Sequence, residues 1–485
     1  MTSPFRIERR FADRPFAEAR DPSVAATDEG RALLAVAGLA RCGRPAPVAV
    51  YRTTDLACVA LLRSHYPVHA LAFHPELPLL AIGTGCYDGG HSFNGELLLL
   101  DLETGSHLSL FERRSGREVL GLKWLDGQSL RLLLAPPDDW QDRAAWQDGH
   151  RAVLHRADWR ALPARSVAPQ ELAGPRLPVP RPDGAEAARR LLGGLHGGWA
   201  PRGPISAVGE LPDGRLLAAL PGALECRTPS DAVAWSAERA DGAGEFVVAA
   251  ERQSVFVRSG EQRSVTELSL VDGSRLAQHQ RRRHVALLAC ADGLPALAPQ
   301  VHRDLRIRHS RLVYLATNPP RPGRPWVATA DPSRLPAADR SVRTVGGYQR
   351  RFPLSWDRAE SHLPGPGVEL HGGDLLHAGT VHHGQGLQPG GSFVVRRDPS
   401  DGTPRWVFRT DRPATALDAD FDRDLVHVAY DDAELVTLSA TDGTVLRRTP
   451  LTVGRVVVVA TALTVPGPGR LLVGTDDGRL LSCAT

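Results

Sequence analysis

The chain has 485 residues and a formal net charge of +3, and it is 42% hydrophobic and 23% charged. This apolar content is enough for a large core, which excludes a wholly disordered chain. The near-neutral charge gives no field over the whole molecule that would attract nucleic acid or acidic lipid. The length suits about two to four domains or one large β architecture, and 47 Gly and 39 Pro indicate many turns.

The predicted elements are short strands along the whole chain. Residues 5–11, FRIERRF, form the first of them, and units of about four strands separated by turn signals follow. These units begin near residues 23, 68, 118, 205, 244, 285, 365, 414 and 456. The one predicted helix, residues 184–195, lies in an irregular connection at 166–204.

Internal repetition supports these units. The stretch LLAIGTGCYDGGHSFNGELLLLDLETG from Leu79 matches LLHAGTVHHGQGLQPGGSFVVRRDPSDG from Leu375 in the order of strand, Gly-rich loop, strand and acidic turn. A repeat of about 40–50 residues with four short strands is typical of a propeller blade. Blades stacked in a ring bury the apolar faces of one another and leave no open sheet edge.

We therefore predict an all-β chain that forms a single closed β-propeller over residues 1–485. It has seven or eight four-stranded blades, long loops on one face and at most one or two short helices. Nine candidate units exceed the usual ceiling of about eight blades. Either one unit within 205–355 is misread, or an insertion imitates a blade. The last unit runs out at Thr485 after about three strands, so residues 1–22 are expected to supply its missing outer strand.

Two segments resemble known propeller repeats. GELLLLDLETG at 95–105, preceded by FHPELPLLAIGT at 73–84, resembles a WD40 repeat. In that family the third strand typically ends in Trp-Asp before a turn ending in Thr-Gly, and here Leu100 and Asp101 take that place. Trp406 is more similar to the tryptophan of a quinoprotein-type propeller repeat. The resemblance implies a divergent WD40-like propeller.

The loops that join the second and third strands of the blades are long. They cover residues 85–94, 136–150, 318–325 and 381–391, and in a propeller such loops gather on one face and carry function. The residues predicted for this partner-binding face are Tyr87, Asp88, His91, Phe93, Asp138, Asp139, Trp140, Trp146, His382 and His383. The alternative is that these aromatic side chains fold down and cover the core of the propeller itself.

Two segments are rich in histidine or aspartate, which can bind metal ions, but neither has the residue spacing of a known metal site. The four histidines between residues 371 and 383 lack the spacing of a zinc site. The four aspartates between residues 418 and 424 alternate as in a calcium loop, but Arg423 stands where an EF-hand needs glycine. From the repeat pattern, we interpret this segment as a polar hairpin between two blade strands. Nucleophile-elbow, P-loop and zinc-protease motifs are missing, so we expect no metal, no cofactor and no catalytic residue.

Two functions stay open. The first is a non-catalytic scaffold that recruits protein partners through the loop-rich face, contacts neither nucleic acid nor membrane and is monomeric on its own. The acidic loop around Trp140 and Trp146 would repel phosphates and suits a basic or mixed protein surface. The alternative is a propeller enzyme or small-ligand binder, with a metal or quinone-type cofactor in a His- and Asp-lined axial funnel.

The expected location is the cytoplasm. The first ten residues contain no apolar stretch of the kind found in a secretion signal. No apolar run approaches the roughly 20 residues that a membrane-spanning helix needs. The six cysteines are scattered without a C-x-x-C pair, which is typical of reduced thiols.

Overall fold

The structure is a computed structural model that divides the chain into two compact units. One is Arg14–Arg202, and the other combines Met1–Asp13 with Gly203–Thr485. The described residues are 5–39, 46–87, 93–111, 117–135, 148–178, 183–238, 243–259, 264–280, 285–289, 295–299, 306–308, 312–316, 326–330, 343–344, 349–353, 361–370, 372–383, 386–454 and 456–485. Within these ranges, no helix has both the length and the apolar character to cross a membrane.

The described part of the Arg14–Arg202 unit contains three four-stranded antiparallel sheets. The 22–64 sheet consists of Pro22–Asp28, Leu33–Gly38, Ala46–Arg52 and Cys58–Ser64. The 68–109 sheet consists of Val68–Phe73, Leu79–Thr84, Leu97–Asp101 and His107–Ser109. The 119–178 sheet consists of Val119–Trp124, Ser129–Leu134, Asp148–His155 and Arg176–Pro178. In each sheet the strands lie in the order in which they occur along the chain, as in a propeller blade.

A helix covers one face of the 22–64 sheet. It spans Ala185–Leu195, and the short 3-10 turns Ala17–Ala19 and Pro169–Leu172 lie in the same unit. Ala188 and Leu192, four residues apart and therefore on one side of the helix, are its buried residues. Leu192 packs in an apolar cluster with residues of the sheet. The helix is thus amphipathic, with its apolar side on the sheet.

The described residues of the second unit contain five further sheets built on four antiparallel strands, which are sequential in four of the sheets. The 207–238 sheet consists of Ala207–Glu210, Leu216–Ala219, Ala223–Arg227 and Val233–Glu238. The 243–280 sheet consists of Ala243–Ala249, Ser254–Ser259, Ser264–Ser269 and Arg275–Gln280, with a 3-10 turn at Ala250–Arg252. The 361–410 sheet consists of Ser361–Glu369, Leu375–His383, Gly386–Arg397 and Pro404–Thr410, with Arg306–Arg308 added in parallel at its first strand.

The remaining two of these five sheets follow in sequence. The 414–450 sheet consists of Ala414–Asp420, Leu425–Tyr430, Glu434–Ser439 and Val445–Pro450. The last sheet consists of Ala460–Gly467, Arg470–Thr475, Leu480–Ala484 and, at its outer edge, Arg6–Phe11. A two-stranded hairpin, Thr452–Val453 with Val456–Val457, lies between them along the chain.

The segment from residue 285 to residue 353 is built differently. Its described residues form two three-stranded sheets. One consists of Val285–Ala289, Pro295–Pro299 and the parallel strand Arg343–Thr344, and the other of Leu312–Ala316, Trp326–Ala330 and Gln349–Pro353. Pro295 and Pro299 bound the middle strand of the first sheet and have no N–H for a sheet hydrogen bond. The predicted unit near residue 285 is therefore the one candidate that lacks four strands in the described residues.

The apolar cores lie between consecutive sheets. Because side chains alternate across a strand, Val426 and Val428 of the 414–450 sheet point the same way. They pack in one cluster with Leu376 and Val394 of the 361–410 sheet. The 22–64 and 68–109 sheets share a second cluster, and the 68–109 and 119–178 sheets share a third.

The last sheet takes its outer strand from the start of the chain. Arg6–Phe11 pairs antiparallel with Leu480–Ala484, and Phe11 lies opposite Leu480. Phe11 is 3% exposed and belongs to a cluster with Ile205 and Leu472. The N–H of Ile205 donates to the carbonyl oxygen of Thr475 over 3.0 Å. The 207–238 sheet therefore follows the last sheet in space within this unit.

The prediction of an all-β chain made of four-stranded blades with few helices is confirmed. Seven described sheets contain four antiparallel strands in chain order, an eighth combines three such strands with Arg6–Phe11, and the described residues contain one α-helix. One closed ring over residues 1–485 stays a prediction. The segment 381–391, predicted as a loop, is mainly strand, because Leu375–His383 and Gly386–Arg397 extend as a long hairpin. Within the predicted connection 166–204, Arg176–Pro178 is the fourth strand of the 119–178 sheet.

Candidate functional site

Of the loops predicted for the partner-binding face, the one at residues 85–94 is described in part. Between the second and third strands of the 68–109 sheet, Cys86–Tyr87 pairs with Phe93–Asn94 in a short hairpin. The Tyr87 side chain is 41% exposed. Only the backbone is described for Phe93, His382 and His383. Asp88, His91, Asp138, Asp139, Trp140 and Trp146 lie outside the described residues.

The base of this hairpin is held by close backbone packing and by the polar contacts of His69. Nε2 of His69 lies 2.8 Å from Oε1 of Glu118 and 3.0 Å from the carbonyl oxygen of Gly85. A Cβ at Gly85 would overlap the Glu118 side chain, and a Cβ at Gly95 would overlap the carbonyl oxygen of Thr84. These glycines permit a backbone approach that no other residue allows. The hairpin that carries Tyr87 therefore starts and ends on a tightly packed base.

A second polar site crosses the 414–450 sheet. Asp418 lies opposite His427, His427 opposite Thr437, and Thr437 opposite Arg447, with one residue on each strand. Directly opposite residues of neighbouring strands share a face of the sheet. Nδ1 of His427 lies 3.1 Å from the hydroxyl oxygen of Thr437. We call these four residues the polar row.

The inner end of the polar row is hydrogen-bonded to the last sheet. The N–H of Val465 donates to Oδ2 of Asp418 over 2.9 Å, and the N–H of Gly469 donates to Oδ2 of Asp420 over 2.8 Å. Both aspartates are buried. The interpretation of this segment as a polar hairpin agrees with the pairing of Ala414–Asp420 and Leu425–Tyr430, but these two aspartates are buried on its first strand and not in its turn. They lie on a strand and accept hydrogen bonds from the backbone of the next sheet.

His427 is the most perturbed group of the polar row. His427 is 1% exposed. Burial lowers the pKa of His427 to about 4; the nearby Arg423 and Arg447 also lower it, and Asp420 and Asp418 oppose the shift. The imidazole is therefore neutral at pH 7. Within the described part of the chain, Nε2 of His427 has no hydrogen-bond partner.

A small cavity lies beside this imidazole. His427 and Thr437 line it together with Arg423, Arg447, Leu425, Leu446 and Thr485. Its volume is about 10 Å³, roughly the space of one water molecule. Arg423 forms part of the wall and donates to the carbonyl oxygen of Thr485 over 2.6 Å. The surface of the cavity is almost entirely apolar.

The sequence interpretation missed this site. The signal was the pair Asp418 and Asp420, separated by one residue on a strand, followed by His427 inside the apolar run LVHVAY. Two acidic side chains on one face of a blade strand indicate contact with a neighbouring blade's backbone, because buried carboxylates need hydrogen-bond donors.

Of the four histidines between residues 371 and 383, His377 is the one whose side chain the structure describes. This residue is buried, and its Nε2 accepts a hydrogen bond from Nε of Arg397 over 3.2 Å. Among the residues that the structure describes, no three His, Cys, Asp or Glu side chains come together as a metal site would require.

Comparison with known proteins finds similarity among solved structures. No family model matches the chain, and no curated protein matches it. Hydrazine synthase of Kuenenia stuttgartiensis matches 59% of this chain and 97% of its own, at 10% identity and a TM-score of 0.41. BamB of Moraxella catarrhalis matches 58% of this chain and 85% of its own, at 15% identity and a TM-score of 0.33. The C-terminal WD40 domain of Sif2 matches 100% of this chain and 99% of its own, at 9% identity and a TM-score of 0.30.

WD40 and other propeller proteins are thus among the structures similar to this chain. The assignment of blades rests on the strand order and pairing within the chain's own sheets.

Proposed function

We propose that this protein is a non-catalytic scaffold that recruits protein partners through the loops joining the second and third strands of its blades. The observation that carries the proposal is Tyr87, an aromatic side chain 41% exposed on a hairpin with a tightly packed base. Aromatic residues contribute most of the energy at many protein interfaces. A rigid base limits the entropy lost when such a residue is bound.

The partner chemistry follows from the neighbouring predicted loop. Asp138, Asp139 and Asp142 accompany Trp140 and Trp146 in this loop, whereas Asp148 begins a strand and pairs with Arg176 over 2.7 Å. Carboxylates would steer a basic or mixed protein surface toward the loop, and the indole rings would supply buried area. The same charges disfavour nucleic acid. The proposal places the protein in the cytoplasm, without a membrane partner and monomeric on its own.

Affinity capture from the native cell, followed by mass spectrometry, tests the scaffold. The full chain is compared with Tyr87→Ala and with the double variant Trp140→Ala, Trp146→Ala. The matched control is Leu125→Ala, because Leu125 is 49% exposed on a first-to-second-strand turn, at the opposite end of the neighbouring sheet.

We expect Tyr87→Ala and the tryptophan variant to lose partners that Leu125→Ala still captures, with melting temperatures unchanged. A tryptophan variant that melts early would show that the indoles cover the core. Unchanged capture by all variants would contradict the loop-face proposal.

A small-ligand binder or propeller enzyme is the second candidate. The cavity beside His427 favours it, because the buried Nε2 of His427 has no hydrogen-bond partner among the residues that the structure describes. Metal analysis and an absorption spectrum of the purified protein separate the two candidates. A stoichiometric metal or a chromophore would favour the enzyme, and a featureless spectrum without metal would favour the scaffold.

A further inference from the structure

The bases of two predicted partner-binding loops share one residue, Glu118. It directly precedes the first strand of the 119–178 sheet and is 3% exposed. A Cβ built at Gly85, where the 85–94 loop begins, would lie 2.2 Å from Cγ of Glu118. The carbonyl oxygen of Glu118 accepts a hydrogen bond over 2.8 Å from the N–H of Ala135, the residue before the second loop. Glu118 therefore contacts the bases of both loops.

The other end of the 85–94 loop lies on the same segment. A Cβ built at Gly95 would lie 2.6 Å from the carbonyl oxygen of Arg117 and 3.1 Å from Cα of Glu118. The backbone at Gly95 thus packs directly on these two residues, at a distance that glycine alone permits. A displacement of Glu118 would therefore disturb both ends of the hairpin that carries Tyr87.

The side chain of Glu118 is held by His69, on the first strand of the 68–109 sheet. Nε2 of His69 lies 2.8 Å from Oε1 of Glu118 and 3.0 Å from the carbonyl oxygen of Gly85. Both oxygens are acceptors, so Nε2 carries a hydrogen and its N–H is shared between them. Hydrogen bonds to a carboxylate are stronger than those between neutral groups. His69 thus joins the start of the hairpin to Glu118 of the next sheet.

We propose that His69 is a positioning residue of the partner-binding face. Acting through Glu118, it fixes the base of the 85–94 loop relative to the base of the loop that follows Ala135. A partner then meets one preformed surface, and less entropy is lost on binding than with two loops that move independently. This inference deepens the proposed function and rests on it, because the position of the loops matters to recognition only if they bind partners.

Amide hydrogen exchange of the full-length protein, resolved to single residues by fragmentation and mass spectrometry, tests the proposal. The reporters are the N–H of Gly85, which donates to the carbonyl oxygen of Pro67 over 2.9 Å, and the N–H of Ala135. The key variant is His69→Leu, which removes the donor. His69→Gln tests rescue, because its side-chain amide can donate from near the position of Nε2. The matched control is His107→Leu, at an exposed histidine on the fourth strand of the same sheet.

We expect exchange at both reporters to be about tenfold faster or more in His69→Leu, since a hydrogen bond to a charged group is lost and the bases open more often. His69→Gln should restore most of the protection at both reporters, and His107→Leu should leave exchange unchanged. The 22–64 sheet shares an apolar cluster with the 68–109 sheet and reports general loosening of the unit. Its amides should exchange equally slowly in every variant.

Four results would overturn the proposal. The first is unchanged exchange at both reporters in His69→Leu. The second is faster exchange at Gly85 alone, because His69 would then support only one loop. The third is equal acceleration by His69→Gln and His69→Leu, which would show that the donated hydrogen bond does not position the loops. The fourth is an equal acceleration throughout the 22–64 sheet, which would indicate a merely structural role.

A second variant keeps the test decisive if His69→Leu does not fold. The double variant His69→Leu, Glu118→Met removes both polar partners and leaves no buried carboxylate without its donor, so its cost in stability should be lower. The same reporters apply to it, with the same expected acceleration. The exchange measurement needs no partner, so its failure is distinct from failure of the scaffold function, which capture by Tyr87→Ala decides.

Discussion

The indole ring of Trp406 lies directly against Gly443 of the neighbouring sheet. A Cβ at Gly443 would meet a ring carbon of Trp406 at 2.6 Å, and Nε1 of Trp406 donates to the carbonyl oxygen of Ala440 over 2.9 Å. Trp235 and Gly273 repeat this contact between the 207–238 and 243–280 sheets. A tryptophan on a fourth strand thus joins one sheet to the glycine turn of the next.

Substitution Gly443→Ala should destabilise the unit that contains it. Gly443 has a φ of +74°, and alanine in the left-handed region costs about 1–2 kcal/mol. The overlap with Trp406 should add about 1–3 kcal/mol, as overpacking does. Thermal unfolding followed by circular dichroism measures the loss.

Gly105→Ala is the matched control, because Gly105 has a φ of +72° and no atom within 4 Å of a built Cβ. It should show only the backbone cost. Equal destabilisation by both changes would mean that the ring contact at Gly443 contributes nothing.

The buried imidazole of His427 should make stability depend on pH. Its pKa is about 4 in the folded chain and near 6.5 when unfolded. As the pH falls below about 6.5 the unfolded chain takes up a proton that the folded chain does not, so this contribution to stability is lost progressively down to about pH 4. The loss approaches about 3 kcal/mol.

The measurement is chemical unfolding between pH 4 and pH 7 in cationic buffers. Because carboxylates also titrate in this range, the natural chain is compared with His427→Gln. The variant should have the shallower decline. Identical declines would show that His427 titrates normally in the folded chain.

The first strand should stabilise the unit built from the two ends of the chain. Phe11→Ala is expected to cost about 3–5 kcal/mol, the usual loss for a buried phenylalanine. Deleting residues 1–11 should cost more, because the third strand of the last sheet becomes an open edge. Arg6→Ala, at an exposed arginine paired with Glu8, should change stability by less than about 0.5 kcal/mol. A deletion that leaves the melting temperature unchanged would contradict a structural role for this strand.

Replacing both His382 and His383 by alanine should leave stability and metal content unchanged. These residues lie on a hairpin extension, near its tip, and surface substitutions usually stay within about 0.5 kcal/mol. Thermal unfolding and metal analysis check the prediction. A fall of many degrees in the melting temperature, or the loss of a bound metal, would contradict the prediction and favour the enzyme or small-ligand binder.

The blades could be predicted because each blade repeats local signals. Alternating apolar residues and turns such as Asp442-Gly443 mark strands wherever they occur, so eight unit starts coincide with four-stranded sheets to within a few residues. Residues 285–353 contain the same local signals, but their described strands form two three-stranded sheets. Their pairing partners, such as Arg343 for Ala296, lie far away in sequence and leave no local pattern.

The polar row could not be predicted for the same reason. Asp418, His427, Thr437 and Arg447 are nine or ten residues apart in sequence and meet through strand register. The donors to Asp418 and Asp420 are the backbone N–H groups of Val465 and Gly469. The two acidic side chains indicate a contact with backbone, but they do not identify the segment that provides it. Sequence periodicity indicates that a residue is on a strand, but long-range pairing decides what it faces.

The pairing of Arg6–Phe11 with Leu480–Ala484 has a consequence for folding during synthesis. The strand that leaves the ribosome first in this sequence has to wait until residues 480–484 have been made, while the 22–64, 68–109 and 119–178 sheets can each form from neighbouring segments as they emerge. At roughly 5–20 residues per second, that delay lasts on the order of half a minute to a minute and a half. During this time Phe11 can contact Ile205, which belongs to the same apolar cluster, but its strand lacks the neighbour with which it pairs in the sheet.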